Sequence, residues 1–89
     1  MNYYVYILES ERTGRYYVGS TNNPMLRLER HNAGFTRSTK GRGPWKTVYL
    51  EKLDDRCRAV RREQEIKRMK NRKYIKDLLE GDEVKITGS

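Results

Sequence analysis

One cysteine, one histidine, one tryptophan, one phenylalanine and two prolines are all that a chain of 89 residues carries of these types. The lone Cys57 excludes an internal disulfide, and with it a secreted disulfide scaffold or a Cys-rich zinc site. The lone His31 has no ligand spacing around it and makes no metal site by itself. Long apolar runs are missing too. The longest, Tyr3 to Leu8, falls far short of the ~20 residues that span a bilayer. The N-terminus lacks the basic, apolar and cleavage regions of a signal peptide. These absences predict a cytoplasmic protein with no membrane partner. Acidic residues are also in deficit, with 12 Asp+Glu against 20 Lys+Arg and a formal net charge of +8.

So large a positive excess on one small domain points to a polyanion, DNA or RNA, as partner. A membrane-surface helix would need a broad face of Leu, Phe or Trp. The basic segment Arg56–Lys73 offers only the narrow stripe Ala59, Val60, Ile66 and Met69, the pattern of a helix packed on a small core. A chain of this length buries about 60–65% of its unfolded surface. Hydrophobic residues make up 35%, enough for one thin core and one domain, taken as residues 1–81 with a tail over 82–89. Seven of the aromatics are tyrosine, and aromatic content of this kind argues against disorder.

The run Tyr3–Leu8 is β-branched and aromatic and predicts a strand. Thr13-Gly14 marks a turn, and Tyr16–Ser20 a second strand, paired antiparallel because the connection is short. Asn22-Asn23-Pro24 starts a helix with Asn as N-cap and Pro at the first position. That helix runs to about Asn32, with Gly34 closing it. Residues 33–45 form a basic loop rich in Gly. Trp45–Leu53 predicts a third strand, Asp54 or Asp55 caps a helix reaching about Lys70, and Arg72–Glu80 forms a last short helix ended by Gly81. The remaining tail is expected as a short strand or a frayed end. The fold class is α/β in the wide sense, an α+β sandwich with a small three-stranded antiparallel sheet flanked by helices.

Chemistry-bearing residues fall at odd places in this plan. At 100° per residue with Glu63 at zero, Ala59 lies at about −40°, Val60 at about +60° and Ile66 at about −60°. Glu63 therefore sits in the middle of the apolar stripe, where a carboxylate needs a partner or a metal; a core-facing Arg would serve equally well. Arg27 and His31 are four apart and share a helix face, which the spacing alone reads as solvated. Met25 and Leu28 project to another side and can serve the core. Tyr4 and Tyr6 share one face of the first strand, and Tyr17 and Gly19 one face of the second. Trp45 reads as a core anchor, with stacking on an unpaired base as the alternative.

Tyr4-Val5-Tyr6 followed by Tyr17-Val18-Gly19 resembles the paired motifs of the GIY-YIG nucleases. The likeness continues through Ser20-Thr21-Asn22-Asn23-Pro24 to the helical Arg27, the following His31 and Glu63 on a later helix, and it covers Tyr3 to about Lys70. In size the chain is similar to small stand-alone members, without the extra domains of the excision-repair incising subunit or of homing endonucleases. Tyr4 stands where the family has its first Gly, and Ser20 where excision-repair members carry Lys. Asn71 lies too close to Glu63 to match the family's Asn.

The resemblance implies a divalent-metal-dependent endonuclease that hydrolyses DNA phosphodiesters, selective for structured or single-stranded substrates, with a role in DNA repair. It makes Tyr6, Tyr17, Arg27, His31 and Glu63 the catalytic set. Glu63 would hold Mg²⁺, with Mn²⁺ as substitute, and Arg27 would contact the phosphate. Either tyrosine could activate water with His31 beside it, and Gly19 would let substrate approach. The loop residues Arg37, Lys40, Arg42 and Lys46 and the helix residues Arg56, Arg58, Arg61 and Arg62 would contact backbone phosphates. Neutralising five or six phosphates would give a slope of log K against log[salt] of roughly −4 to −6. A noncatalytic nucleic-acid-binding module on the same fold remains the alternative. Oligomeric state and a separate protein supplying specificity stay open.

Overall fold

A computed structural model describes residues 2–69 and 71–88. Three strands and three helices follow one another as β1 (Tyr3–Ser10), β2 (Tyr16–Thr21), α1 (Pro24–Asn32), β3 (Trp45–Leu53), α2 (Arg56–Arg68) and α3 (Arg72–Gly88). The strands form one antiparallel sheet in the order β2-β1-β3. This is the expected α+β architecture.

Local chemistry explains where the elements begin. The Ser10 hydroxyl accepts the backbone N–H groups of Arg12 and Thr13, and Gly14 takes φ +76°, so the chain reverses between β1 and β2. The Asn23 side chain accepts from the Leu26 N–H at 3.1 Å, with Pro24 at the first helical position. Asp55 caps α2 through the Arg58 N–H at 2.8 Å. Asn71, the residue that fits no motif, accepts from the Tyr74 N–H at 2.6 Å where α3 begins.

Alternation along β1 divides the core in two. Val5 and Ile7 face one way and pack with Val18, Tyr49, Ala59, Ile66 and Ile75 under α2 and α3. Tyr6 and Leu8 face the other way and pack with Trp45, Tyr17 and Leu28 under α1. Trp45 is thus a core anchor, with its indole N–H donating to the Thr39 carbonyl at 3.1 Å.

Three expectations need correction. Met25 is 78% exposed, because the covered side of α1 is taken by Leu28 and by the polar Arg27 and His31, which have partners on the sheet. Gly81 does not end the last helix, and the tail is neither strand nor frayed, since α3 continues to Gly88; one Gly costs a helix only about 1 kcal/mol. The helix α2 closes at Arg68 with Met69 as its C-cap, whereas the expected end at Lys70 lies outside the described residues.

Candidate active site

The pairing of β1 with β2 sets Tyr6 opposite Gly19 and Leu8 opposite Tyr17. Paired residues share a sheet face, so both tyrosines project toward α1. The Tyr6 hydroxyl lies 3.0 Å from His31 Nε2 and receives the Arg27 Nε–H at 3.4 Å. The Tyr17 ring rests against His31, with centroids 4.8 Å apart, and lies 6.4 Å from the Tyr6 ring. Four of the five expected residues therefore form one cluster. The face shared by Arg27 and His31 is not a solvated one, for Arg27 is half-buried and His31 is only 2% exposed.

The protons in this cluster can be placed. Thr39 Oγ1 lies 3.3 Å from the Thr36 carbonyl, which can only accept, so the hydroxyl proton is used there. The same oxygen, 2.8 Å from His31 Nδ1, must then accept the ring N–H. That leaves His31 Nε2 bare, and it accepts from the Tyr6 hydroxyl. A directed chain results, from Arg27 to Tyr6 to His31 to Thr39 to the Thr36 carbonyl. Burial first, and the Arg27 charge second, push the His31 pKa down to about 4, so the imidazole is neutral at pH 7. Burial also raises the Tyr6 phenol above its ordinary value, partly offset by the Arg27 hydrogen bond, and the Tyr17 and Glu63 charges act in the same direction as burial. The Tyr6 hydrogen bond in turn holds Arg27 more firmly charged.

Glu63 arrives differently. It stands on α2, across the sheet from the tyrosines, and meets the edge strand at Ser20. Ser20 is paired with Val5 and faces α2. The Ser20 hydroxyl donates to Glu63 Oε1 at 2.6 Å, and Lys67 Nζ donates to Oε2 at 2.6 Å. The partner of Glu63 is thus a serine and a lysine, not a core-facing arginine. The carboxylate stays near enough for its charge to act on Tyr6 and Arg27. Among the described residues, no three His, Cys, Asp or Glu side chains gather in one place. A cation at Glu63 would have one carboxylate, and waters or phosphate oxygens would complete its shell. That donor set fits a hydrated Mg²⁺ or Mn²⁺ and does not fit a two-metal centre. Lys67 would have to yield its place.

The expected phosphate contacts divide. Arg37, Lys40, Arg42 and Lys46 are exposed on the loop and the start of β3, and Arg56, Arg58 and Arg61 are exposed on α2. Arg58 pairs with Asp55 at 3.9 Å. Arg62 departs from the set. It is 19% exposed, pairs with Glu51 at 3.0 Å and bonds Glu65, so it braces α2 against β3. Sequence reasoning missed Ser20, Thr39 and Lys67 as partners of the site. Lys67 is four residues after Glu63 and was legible as an i,i+4 pair; Thr39, in a loop, carried no signal.

Two phenols, an arginine and a histidine thus gather on one face of the sheet, and a carboxylate stands on the other. The family model of the GIY-YIG catalytic domain matches residues 2–76, and the chain belongs to that family. It is 38% identical over 74 residues to the UPF0213 protein BH0048 of Halalkalibacterium halodurans, covering 82% of this chain and 78% of that protein. The solution NMR structure of BH0048 superposes with a TM-score of 0.57 at 34% identity, covering 90% of this chain and 84% of that one. A 52-residue stretch is 42% identical to the structure-specific endonuclease subunit SLX1 of Mus musculus, covering 54% of this chain and 19% of SLX1. These likenesses support a nuclease.

Proposed function

We propose that the protein is a divalent-metal-dependent DNA endonuclease selective for structured or single-stranded substrates. The observation that carries this reading is the directed chain from Arg27 through Tyr6 and His31 to Thr39. Tyr6 has an outlet for a proton already built. When its phenol oxygen takes a proton from an attacking water, its own proton passes to the bare Nε2 of neutral His31. The water's electron pair goes to phosphorus, and the bond to the leaving oxygen breaks. One of the five Arg27 donors rests on Tyr6; the others suit a phosphate. A divalent cation held by Glu63 would neutralise charge on the phosphate. Tyr17 has no protein hydrogen bond on its hydroxyl among the described residues, which supports assigning it the contact with substrate. A cytoplasmic location and a part in DNA repair belong to the same reading, as does a partner protein that adds specificity. No helix of the described residues is long and apolar enough to cross a membrane.

The second reading, a binding module without turnover, has one observation in its favour: both Glu63 oxygens are already engaged, by Ser20 and Lys67. Cleavage of labelled single-strand, duplex, flap and junction DNA with Mg²⁺, Mn²⁺ or EDTA decides between them. The endonuclease cuts in metal, fails in EDTA and fails as Glu63→Ala. Intact DNA in every lane, with a salt-sensitive gel shift, identifies the binding module.

A further inference from the structure

A groove of about 630 Å³ runs along the open edge of β2. The loop residues Ser38 and Arg42 wall it on one side of the sheet, and the α2–α3 junction walls it on the other. Among the described residues its lining holds four cationic side chains, Arg15, Arg42, Lys67 and Arg72, and no Asp or Glu. The half-buried Tyr16 and Tyr17 are its accessible aromatic floor, with the buried Val18, Trp45, Ile66 and Ile75 behind them. The Arg72 guanidinium lies 5.5 Å from the Tyr16 ring centroid, a cation already seated on an aromatic face.

Two residues tie this groove to the reaction centre. Tyr17 lines the groove while its ring packs on His31. Lys67 lines it while its ammonium holds Glu63.

We propose that the groove binds an unpaired nucleotide strand next to the scissile phosphate. This rests on the nucleic-acid reading above and adds where the selectivity for unpaired DNA resides. Four cations, with no acid among the described lining residues, select a polyanion. The aromatic floor selects one that carries flat, poorly hydrated rings, and aromatic side chains with basic walls are how unpaired bases and their phosphates are held together. The volume suits a ligand of nucleotide size, and a cleft walled on both faces of a sheet edge does not admit a base-paired duplex. An acidic peptide adding as a strand to β2 would use the same edge, but it would leave the aromatic floor without a stacking partner.

The test is equilibrium binding in EDTA, read by fluorescence anisotropy on labelled oligo(dT) and on a blunt duplex of equal length, for wild type and Arg15→Ala/Arg42→Ala. Both side chains are exposed, and the hydrogen bonds the two residues make in the turns use only their backbone N–H and carbonyl groups, so the fold is retained; unchanged melting confirms it. The expected result is a loss of about tenfold or more on oligo(dT), with less than threefold on the duplex and a salt slope shallower by about 2. Equal losses on both substrates, or none on oligo(dT), overturn the proposal. So does poly-glutamate that displaces oligo(dT) at equal charge. Binding is read without metal, so a protein that never cuts DNA can still satisfy it, and one that cuts DNA can still fail it.

Discussion

The Tyr6 hydroxyl occupies the space that a side chain on Gly19 would need. A Cβ at position 19 would lie 2.5 Å from that hydroxyl oxygen and 2.6 Å from the ring carbon that bears it. The two residues are paired across β1 and β2, so the phenol lies over the glycine of the facing strand. Gly19 was expected to admit substrate. It admits Tyr6, and so brings the phenol within reach of His31 and Arg27.

Gly19→Ala should therefore displace Tyr6. Overpacking of this kind costs about 1–3 kcal/mol. Thermal melting should show that loss, and cleavage should fall further than stability does, because the Tyr6–His31 contact opens. A variant that melts and cuts like wild type would show that Tyr6 can move aside at no cost.

His31 is the only histidine, so one set of imidazole resonances reports it. Its midpoint should lie near 4, against about 6.5 in the unfolded chain. The folded value is depressed, so the unfolded state takes up its proton first as pH falls. The stability conferred by neutral His31 is complete above about pH 6.5 and is lost progressively toward pH 4. An imidazole titrating near 6.5 in the folded protein would contradict the buried, neutral assignment.

Thr39→Val removes the acceptor of the His31 Nδ1–H while nearly conserving shape. A buried unpaired donor costs about 1–3 kcal/mol. Nitrogen NMR of wild type should show the proton on Nδ1, and the valine variant should lose that fixed tautomer. Thr39→Ser restores both the tautomer and the stability if the hydroxyl is what matters. A serine variant no better than valine would point to the methyl group and its packing.

Lys67→Met frees Glu63 Oε2. An exposed i,i+4 ion pair is worth about 0.3–0.5 kcal/mol and good surface pairs up to about 1, so Mn²⁺ alone should bind roughly two- to fivefold tighter. Glu63→Gln in the same calorimetric titration should abolish that binding. Unchanged affinity in the methionine variant would mean that Lys67 does not compete with the cation.

Much of the architecture was legible in the residues themselves. Alternation of β-branched and aromatic side chains marks three strands, and Asn23 and Asp55 mark two helix starts, because capping and side-chain period are local. Glu63 stood out for the same reason, as a carboxylate on an apolar stripe. Net charge indicated the partner class. Other features depended on contacts between distant segments. Register decides that Tyr6 faces Gly19, and that Ser20 turns to the opposite side and meets Glu63. The loop brings Thr39 under His31, which turns an apparently solvated helix face into a buried relay. Tertiary packing also withdraws Arg62 into a bridge with Glu51 and gathers Arg15, Arg42, Lys67 and Arg72 along one edge. Local order follows from torsion and period, which neighbouring residues carry. Which charges are buried, which hydrogen bonds are completed and which cations share a groove depend on distances between residues far apart in the chain, and those exist only after folding.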